Sequence, residues 1–177
     1  MWFHLLLPAA FSTVFVFRFL QSPLQFVLLV LGLYLGFCLI LIDRLLHALY
    51  VEPDTEFSKK IQHAWKSKQY LQLFTLIWRE GPFEQANLIS RSTIFMLCYM
   101  ALAIYVVTSS NTVFGIGFVL GIGLHYCLDL VLYHTQPDFF AEQFLWQIKR
   151  KFKSSEVKWL VAGFLFYFVM LTILTLR

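Results

Sequence analysis

Apolar positions run along this chain in long unbroken stretches, separated by shorter polar ones. Residues 24–42 and 92–109 carry no charge. Residues 112–133 hold only His125 and Asp129 as imidazole or charged groups, and 157–176 hold only Lys158, at the edge. A helix needs about 20 apolar residues to cross a bilayer, so each stretch predicts a membrane span. Residues 4–20 are a shorter apolar stretch with Arg18 near its end. They read as a further span whose arginine snorkels to the nearby surface. Gln21-Ser22-Pro23 then predicts the turn into the next span. No basic stretch opens the chain and no small-x-small site precedes Arg18, so the first segment reads as retained rather than as a cleaved leader. The prediction is an all-α integral membrane protein with five spans in one membrane domain, 1–177.

Composition supports this. Hydrophobic residues make up 59% and charged residues 14%, against roughly 45–50% and about 25% in soluble domains. A water-soluble chain of this size lacks the polar surface to cover so much apolar material. That excludes a soluble enzyme, a disordered chain and a disulfide scaffold. The three cysteines, Cys38, Cys98 and Cys127, all fall within spans and show no metal-knuckle spacing, so they read as small apolar packers.

Basic residues set orientation. Arg44, Lys59, Lys60, Lys66, Lys68, Arg79 and Arg91 lie between spans two and three. Lys149, Arg150, Lys151 and Lys153 lie between spans four and five. The link at Ser110-Asn111 has none. The basic side is expected to be cytoplasmic, in an inner membrane, with the N-terminus inside and the C-terminus outside. The net charge of +4 is then a topology signal, and nucleic-acid binding is not implied.

An internal repeat is visible. VLGLYLGFCLIL at 30–41 aligns with VLGIGLHYCLDL at 119–130. The runs LYVEPD at 49–54 and LYHTQPD at 132–138 follow. Phe57, Ile61, Trp65, Lys66 and Ser67 then face Phe144, Ile148, Phe152, Lys153 and Ser154 at a constant offset. Unit one is 1–80, with surface helices at about 54–68 and 69–80. Unit two is 82–156, with a surface helix at about 139–153. A helix starting at Pro82 is expected to run into span three. Aspartate after each proline is expected to cap the surface helix. Phe57, Ile61 and Trp65 recur every four residues among Lys59, Lys60, Lys66 and Lys68. Phe144, Ile148 and Phe152 recur among Lys149, Arg150, Lys151 and Lys153. Such helices suit an anionic lipid surface, or fold against their own spans.

Gly117, Gly121, His125 and Asp129 share one stripe of span four. Gly32, Gly36, Asp43 and His47 lie within about 60° on span two. The glycines suit close helix packing, within the chain or in a homo-oligomer. Ionisable residues at membrane depth are the first place to look for chemistry. His125, Asp129, Asp43, His47 and His134 form a candidate site for a divalent metal such as zinc. The run GIGLHYCLD at 121–129 resembles the Gly-x₃-His-x₃-Asp element late in some membrane-embedded metal-dependent hydrolases. The resemblance covers those nine residues, and the earlier Asp- and His-rich motif of those families has no counterpart beyond Asp43 and His47. It implies catalytic and metal-binding roles for His125 and Asp129. The competing reading makes the pair a buried structural contact. The expected function is a non-catalytic scaffold or a partner subunit of another membrane protein; a membrane-embedded hydrolase and a small oligomeric transporter are the alternatives.

Overall fold

The structure, a computed structural model, describes residues 2–19, 22–85 and 88–176, the side chains of 2–5, 78, 79, 82 and 83 excepted. Leu20 and Gln21, the expected end of the first span and start of its turn, lie outside them. Every regular element among the described residues is helical: α1 (Trp2–Ser12), α2 (Val16–Phe19), α3 (Pro23–Leu46), α4 (Glu56–Lys66), α5 (Tyr70–Arg79), α6 (Gly81–Glu84), α7 (Thr93–Ser109), α8 (Val113–Tyr133), α9 (Pro137–Phe144) and α10 (Ser154–Leu176). Among the described residues, three stretches are long and apolar enough to cross a membrane: Pro23–Val51, Val113–Tyr133 and Ser154–Leu176. Leu6–Phe19 and Thr93–Ser109 are shorter apolar helices.

The helix α8 is the centre of the bundle. Within its most apolar stretch 67% of positions are buried, against 33% and 28% for the other two long helices. It pairs with α3 along a seam of glycines. A Cβ built on Gly32 would lie 2.2 Å from the Phe114 carbonyl oxygen, and one on Gly36 2.0 Å from that of Phe118. A Cβ on Gly117 would lie 2.2 Å from the Leu29 oxygen, and one on Gly121 2.1 Å from that of Leu33. Each carbonyl sits where a side chain would begin, so only glycine permits this approach. Both helices advance in the same direction along the seam, so they run parallel. One shift of 85 residues takes Gly32 to Gly117 and Gly36 to Gly121, and carries each contact onto its counterpart. The sequence alignment pairs Gly32 with Gly121 instead. The difference is one helical turn, because glycines four residues apart match equally well at either register.

On the far side of α8 stand α7 and α10. The Tyr99 hydroxyl donates to the Val119 carbonyl at 2.9 Å, and that of Tyr167 to the Met100 carbonyl at 2.7 Å. Phe164 meets Tyr126 edge-on at 5.8 Å. The N-terminal helices close the remaining flank, with Phe11 against Phe168 at 5.5 Å. Arg18 donates to the Thr175 carbonyl, which ties the end of α2 to the end of α10. A cation also suits the carbonyl-rich end of a helix.

Four expected boundaries need correction. The helix α3 does not stop at residue 42. It reaches Leu46 and continues in a π turn, His47–Val51. Asp43 and Arg44 lie past the uncharged stretch, but the Ser90 amide holds Asp43 and the Ile77 carbonyl holds Arg44, and no helix-breaking residue occurs before Pro53. No helix runs from Pro82 into α7. The chain leaves α6 in extended form at Gln85, makes a 3₁₀ turn at Ile89–Arg91, and restarts at Ser92, whose Oγ accepts the Phe95 amide at 3.1 Å. The surface helix expected at 139–153 ends at Phe144. Lys149, Arg150, Lys151 and Lys153 repel one another on a helix, and the chain must reverse there into α10. Finally, α10 starts at Ser154, three residues early, with Glu156 accepting the Lys153 amide at 2.9 Å.

Beneath α3, α4 and α5 form a hairpin with its own small core of Ala48, Phe57, Ile61, Ala64, Leu73 and Ile77. Thr55 rather than Asp54 caps α4, accepting the Ser58 amide at 3.1 Å. Phe57 and Ile61 are spent on protein, whereas Trp65 stays 46% exposed beside Tyr70. The lysines Lys59, Lys60, Lys66 and Lys68 are exposed.

The glycine seam yields a stability prediction. Gly36→Ala and Gly121→Ala place a methyl group against backbone and are expected to cost about 1–3 kcal/mol each. Gly163→Ala, where an added Cβ meets nothing within 4 Å, is expected to be near neutral. Thermal unfolding of the detergent-solubilised variants reads the difference.

Candidate functional site

The polar groups at membrane depth gather where α3, α8 and α9 meet the segment before α7. The 3₁₀ turn delivers Arg91 into this junction, where it is fully buried. Its Nη2 pairs with the Asp129 carboxylate. Its Nη1 donates to Gln143 Oε1 at 3.0 Å. The guanidinium lies 5.5 Å from the Phe144 ring centre and 5.7 Å from that of Tyr133. One turn along α8, His125 Nε2 stands 3.4 Å from the same Asp129 oxygen. Its Nδ1 lies 2.7 Å from the Phe37 carbonyl oxygen. A carbonyl can only accept, so Nδ1 carries the hydrogen.

The bonds continue outward as a chain. Gln143 Nε2 donates to the Gln85 carbonyl at 3.1 Å, Gln85 Nε2 to the Arg44 carbonyl at 2.9 Å, and Arg44 Nη1 to the Ile77 carbonyl at 3.1 Å. A second strand of contacts holds the turn itself. The Tyr126 hydroxyl donates to the Ser90 carbonyl, and the Ser90 amide donates to Asp43 Oδ2 at 3.0 Å. Thr93 Oγ1 donates to the Phe144 carbonyl at 2.8 Å. The network therefore joins α8, α9, α3 and α5 to Gln85 and to the turn Ile89–Arg91. Two arginines and two aspartates balance in formal charge at this level.

Of the sequence candidates, only His125 and Asp129 come together as a pair. The Asp43 carboxylate is engaged by the Ser90 amide. His47 is buried in the π turn. His134 turns back to its own helix, with Nδ1 2.6 Å from the Val131 carbonyl oxygen. Among the described residues no group of three or more His, Cys, Asp or Glu is placed to hold a metal ion. The proposed five-donor set is thus corrected: Arg91 pairs with Asp129, the Ser90 amide binds Asp43, and backbone carbonyls lie against His125 and His134, whereas the buried Nδ1 of His47 has no hydrogen-bond partner among the described residues. Arg44 and Arg91, counted as surface charges, are buried, as are Gln85 and Gln143. One signal for Arg91 was available. Asp129 needs a cation at its depth, and Arg91 directly precedes an uncharged span.

No family model matches the chain, and no curated protein or solved structure is found to be similar to it.

The arrangement predicts strong dependence on the ion pair. Arg91→Ala leaves Asp129 buried without its partner, which is expected to cost about 3–5 kcal/mol. Tyr126→Phe removes one hydrogen bond and is expected to cost about 1 kcal/mol. Thermal unfolding in detergent ranks the two.

Proposed function

We propose that this chain is a five-span protein of the cytoplasmic membrane, N-terminus inside, that serves as a non-catalytic scaffold or partner subunit. The observation that carries this reading is the Arg91–Asp129 ion pair. A catalytic carboxylate must be open to substrate or metal, whereas this one is enclosed by a cation, an imidazole and aromatic rings. The polar chemistry at depth is spent on holding one helix layer to the other.

Several features support the topology. Thr93–Ser109 rises about 25 Å at 1.5 Å per residue, close to the roughly 30 Å hydrocarbon core. The Arg18–Thr175 contact sets the end of the first hairpin arm level with the end of α10. The parallel course of α3 and α8, and their interchange by one shift of 85 residues, favour descent from a duplicated hairpin followed by a surface helix. The exposed residues Lys59, Lys60, Lys66, Lys68, Lys149, Lys151 and Lys153 then share the cytoplasmic face, where anionic lipid attracts them. Trp65, Tyr70 and Leu71, exposed at the α4–α5 turn, offer an apolar contact for the membrane boundary or a protein partner.

Two measurements test the reading. Single cysteines at Lys59 and Lys151, in a cysteine-free background, should react with an impermeant maleimide only after the cytoplasmic side is opened. Labelling from outside reverses the topology. Elemental analysis of purified protein should show no divalent metal at stoichiometric level. Stoichiometric zinc, iron or manganese that is lost in His125→Ala would replace the scaffold reading with the hydrolase one.

A further inference from the structure

An apolar groove of about 400 Å³ opens between α7 and α10 above α9. Met96 and Met100 line one wall, Trp159 and Phe164 the other, and Phe140 and Leu145 the floor. The one polar side chain in its lining is Thr93, whose hydroxyl is already engaged with the Phe144 carbonyl. Gly163 faces the groove, and an added Cβ there meets no atom within 4 Å. The absence of a side chain at Gly163 leaves that part of the groove open.

A second depression adjoins the groove. Leu145 lines both the groove and this hollow of about 380 Å³, whose lining carries two cations, Lys149 and Arg150, and one carboxylate, Glu142. The chain from Lys149 to Lys153 is not helical, and Lys149, Lys151 and Lys153 are exposed there. Arg150 stacks over Phe152 at 4.6 Å and pairs with Glu156 at 3.1 Å. Trp159, 78% exposed at the lip, is an amphipathic ring of the kind that settles at the headgroup level. An apolar slot that opens onto lysines matches one ligand chemistry: a hydrocarbon chain joined to an anionic head.

We propose that this is a binding site for one anionic glycerophospholipid of the cytoplasmic leaflet. One acyl chain lies between α7 and α10, and the phosphate sits at Lys149 and Arg150, with Lys151 and Lys153 exposed on the chain that follows. The inference rests on the proposed membrane placement and deepens its lipid contact from a general surface attraction to a defined site. A second copy of the chain, or a helix of another protein, is the rival occupant.

Nanodiscs of mixed phosphatidylcholine and phosphatidylglycerol, with the same composition in both leaflets, make the test independent of orientation. Native mass spectrometry reads the lipid retained after release. The wild type is expected to retain one phosphatidylglycerol in preference to phosphatidylcholine. Gly163→Leu, which projects a side chain into the slot from a position where an added Cβ meets nothing within 4 Å, should lose the retained lipid. Replacing Lys149, Lys151 and Lys153 by Gln changes only exposed side chains, and should lower the preference for phosphatidylglycerol by about tenfold or more. Equal retention of the two lipids by the wild type overturns the proposal. So does undiminished retention in Gly163→Leu, or disulfide-linked dimerisation of Gly163→Cys in native membranes. Because topology is read separately by maleimide labelling, failure of the lipid site and failure of the membrane orientation give different results.

Discussion

Asp129 lies inside a helix that is buried on nearly every side, and a carboxylate there needs a cation within reach. Arg91 supplies it, and much of the architecture follows. To reach Asp129 the arginine must turn into the bundle, so the chain before α7 forms a 3₁₀ turn at Ile89–Arg91 instead of continuing α6. Ser92 restarts the helix directly afterwards. The remaining guanidinium nitrogens and ring faces then select their neighbours: Gln143 accepts one N–H, and Tyr133 and Phe144 present ring faces. Gln143 carries the order on to Gln85, and Gln85 to Arg44. One charge at depth thereby organises the contact between the apolar bundle and the layer below it.

The glycine seam makes that contact possible. The helices α3 and α8 approach so closely that carbonyl oxygens occupy the places of the missing Cβ atoms. This brings the Phe37 carbonyl to His125 and sets Asp43 and Arg44 at the level of Asp129. A wider spacing would leave the imidazole without its acceptor. The seam and the ion pair are therefore one construction: close packing along one half of the bundle, and a neutralised polar junction toward the other. Membrane helices gain little from apolar contact alone, because lipid offers the same, so close approach and polar pairing must supply the specificity.

Much of this was legible in the sequence, for identifiable reasons. Uncharged runs admit only helices at membrane depth, because every backbone group must be satisfied within the segment. The long apolar helices were therefore readable, as were the glycine positions, whose spacing has a plain steric meaning. What escaped reading was the fate of charges beside spans. Arg91 and Arg44 look like ordinary boundary residues, and only the three-dimensional position of Asp129 distinguishes them from the exposed lysines. The second surface helix failed for a related reason. The spacing of Phe144, Ile148 and Phe152 fits a helix, but the repulsion among the intervening cations and the need to reverse into α10 prevail over the pattern. The pairing of glycines across the seam escaped as well, since glycines four residues apart give no unique alignment.

The central claim is that Asp129 serves as the anchor that holds Gln85 and the turn Ile89–Arg91 against the bundle. Hydrogen–deuterium exchange of the Asp129→Asn variant in nanodiscs tests it most directly. The account predicts faster exchange confined to the Gln85–Ser92 segment, the start of α7 and α9, with the glycine-packed middle of α3 and α8 unchanged. Exchange in Gln85–Ser92 identical to that of the wild type would contradict it, and would leave the ion pair as a contact without architectural consequence.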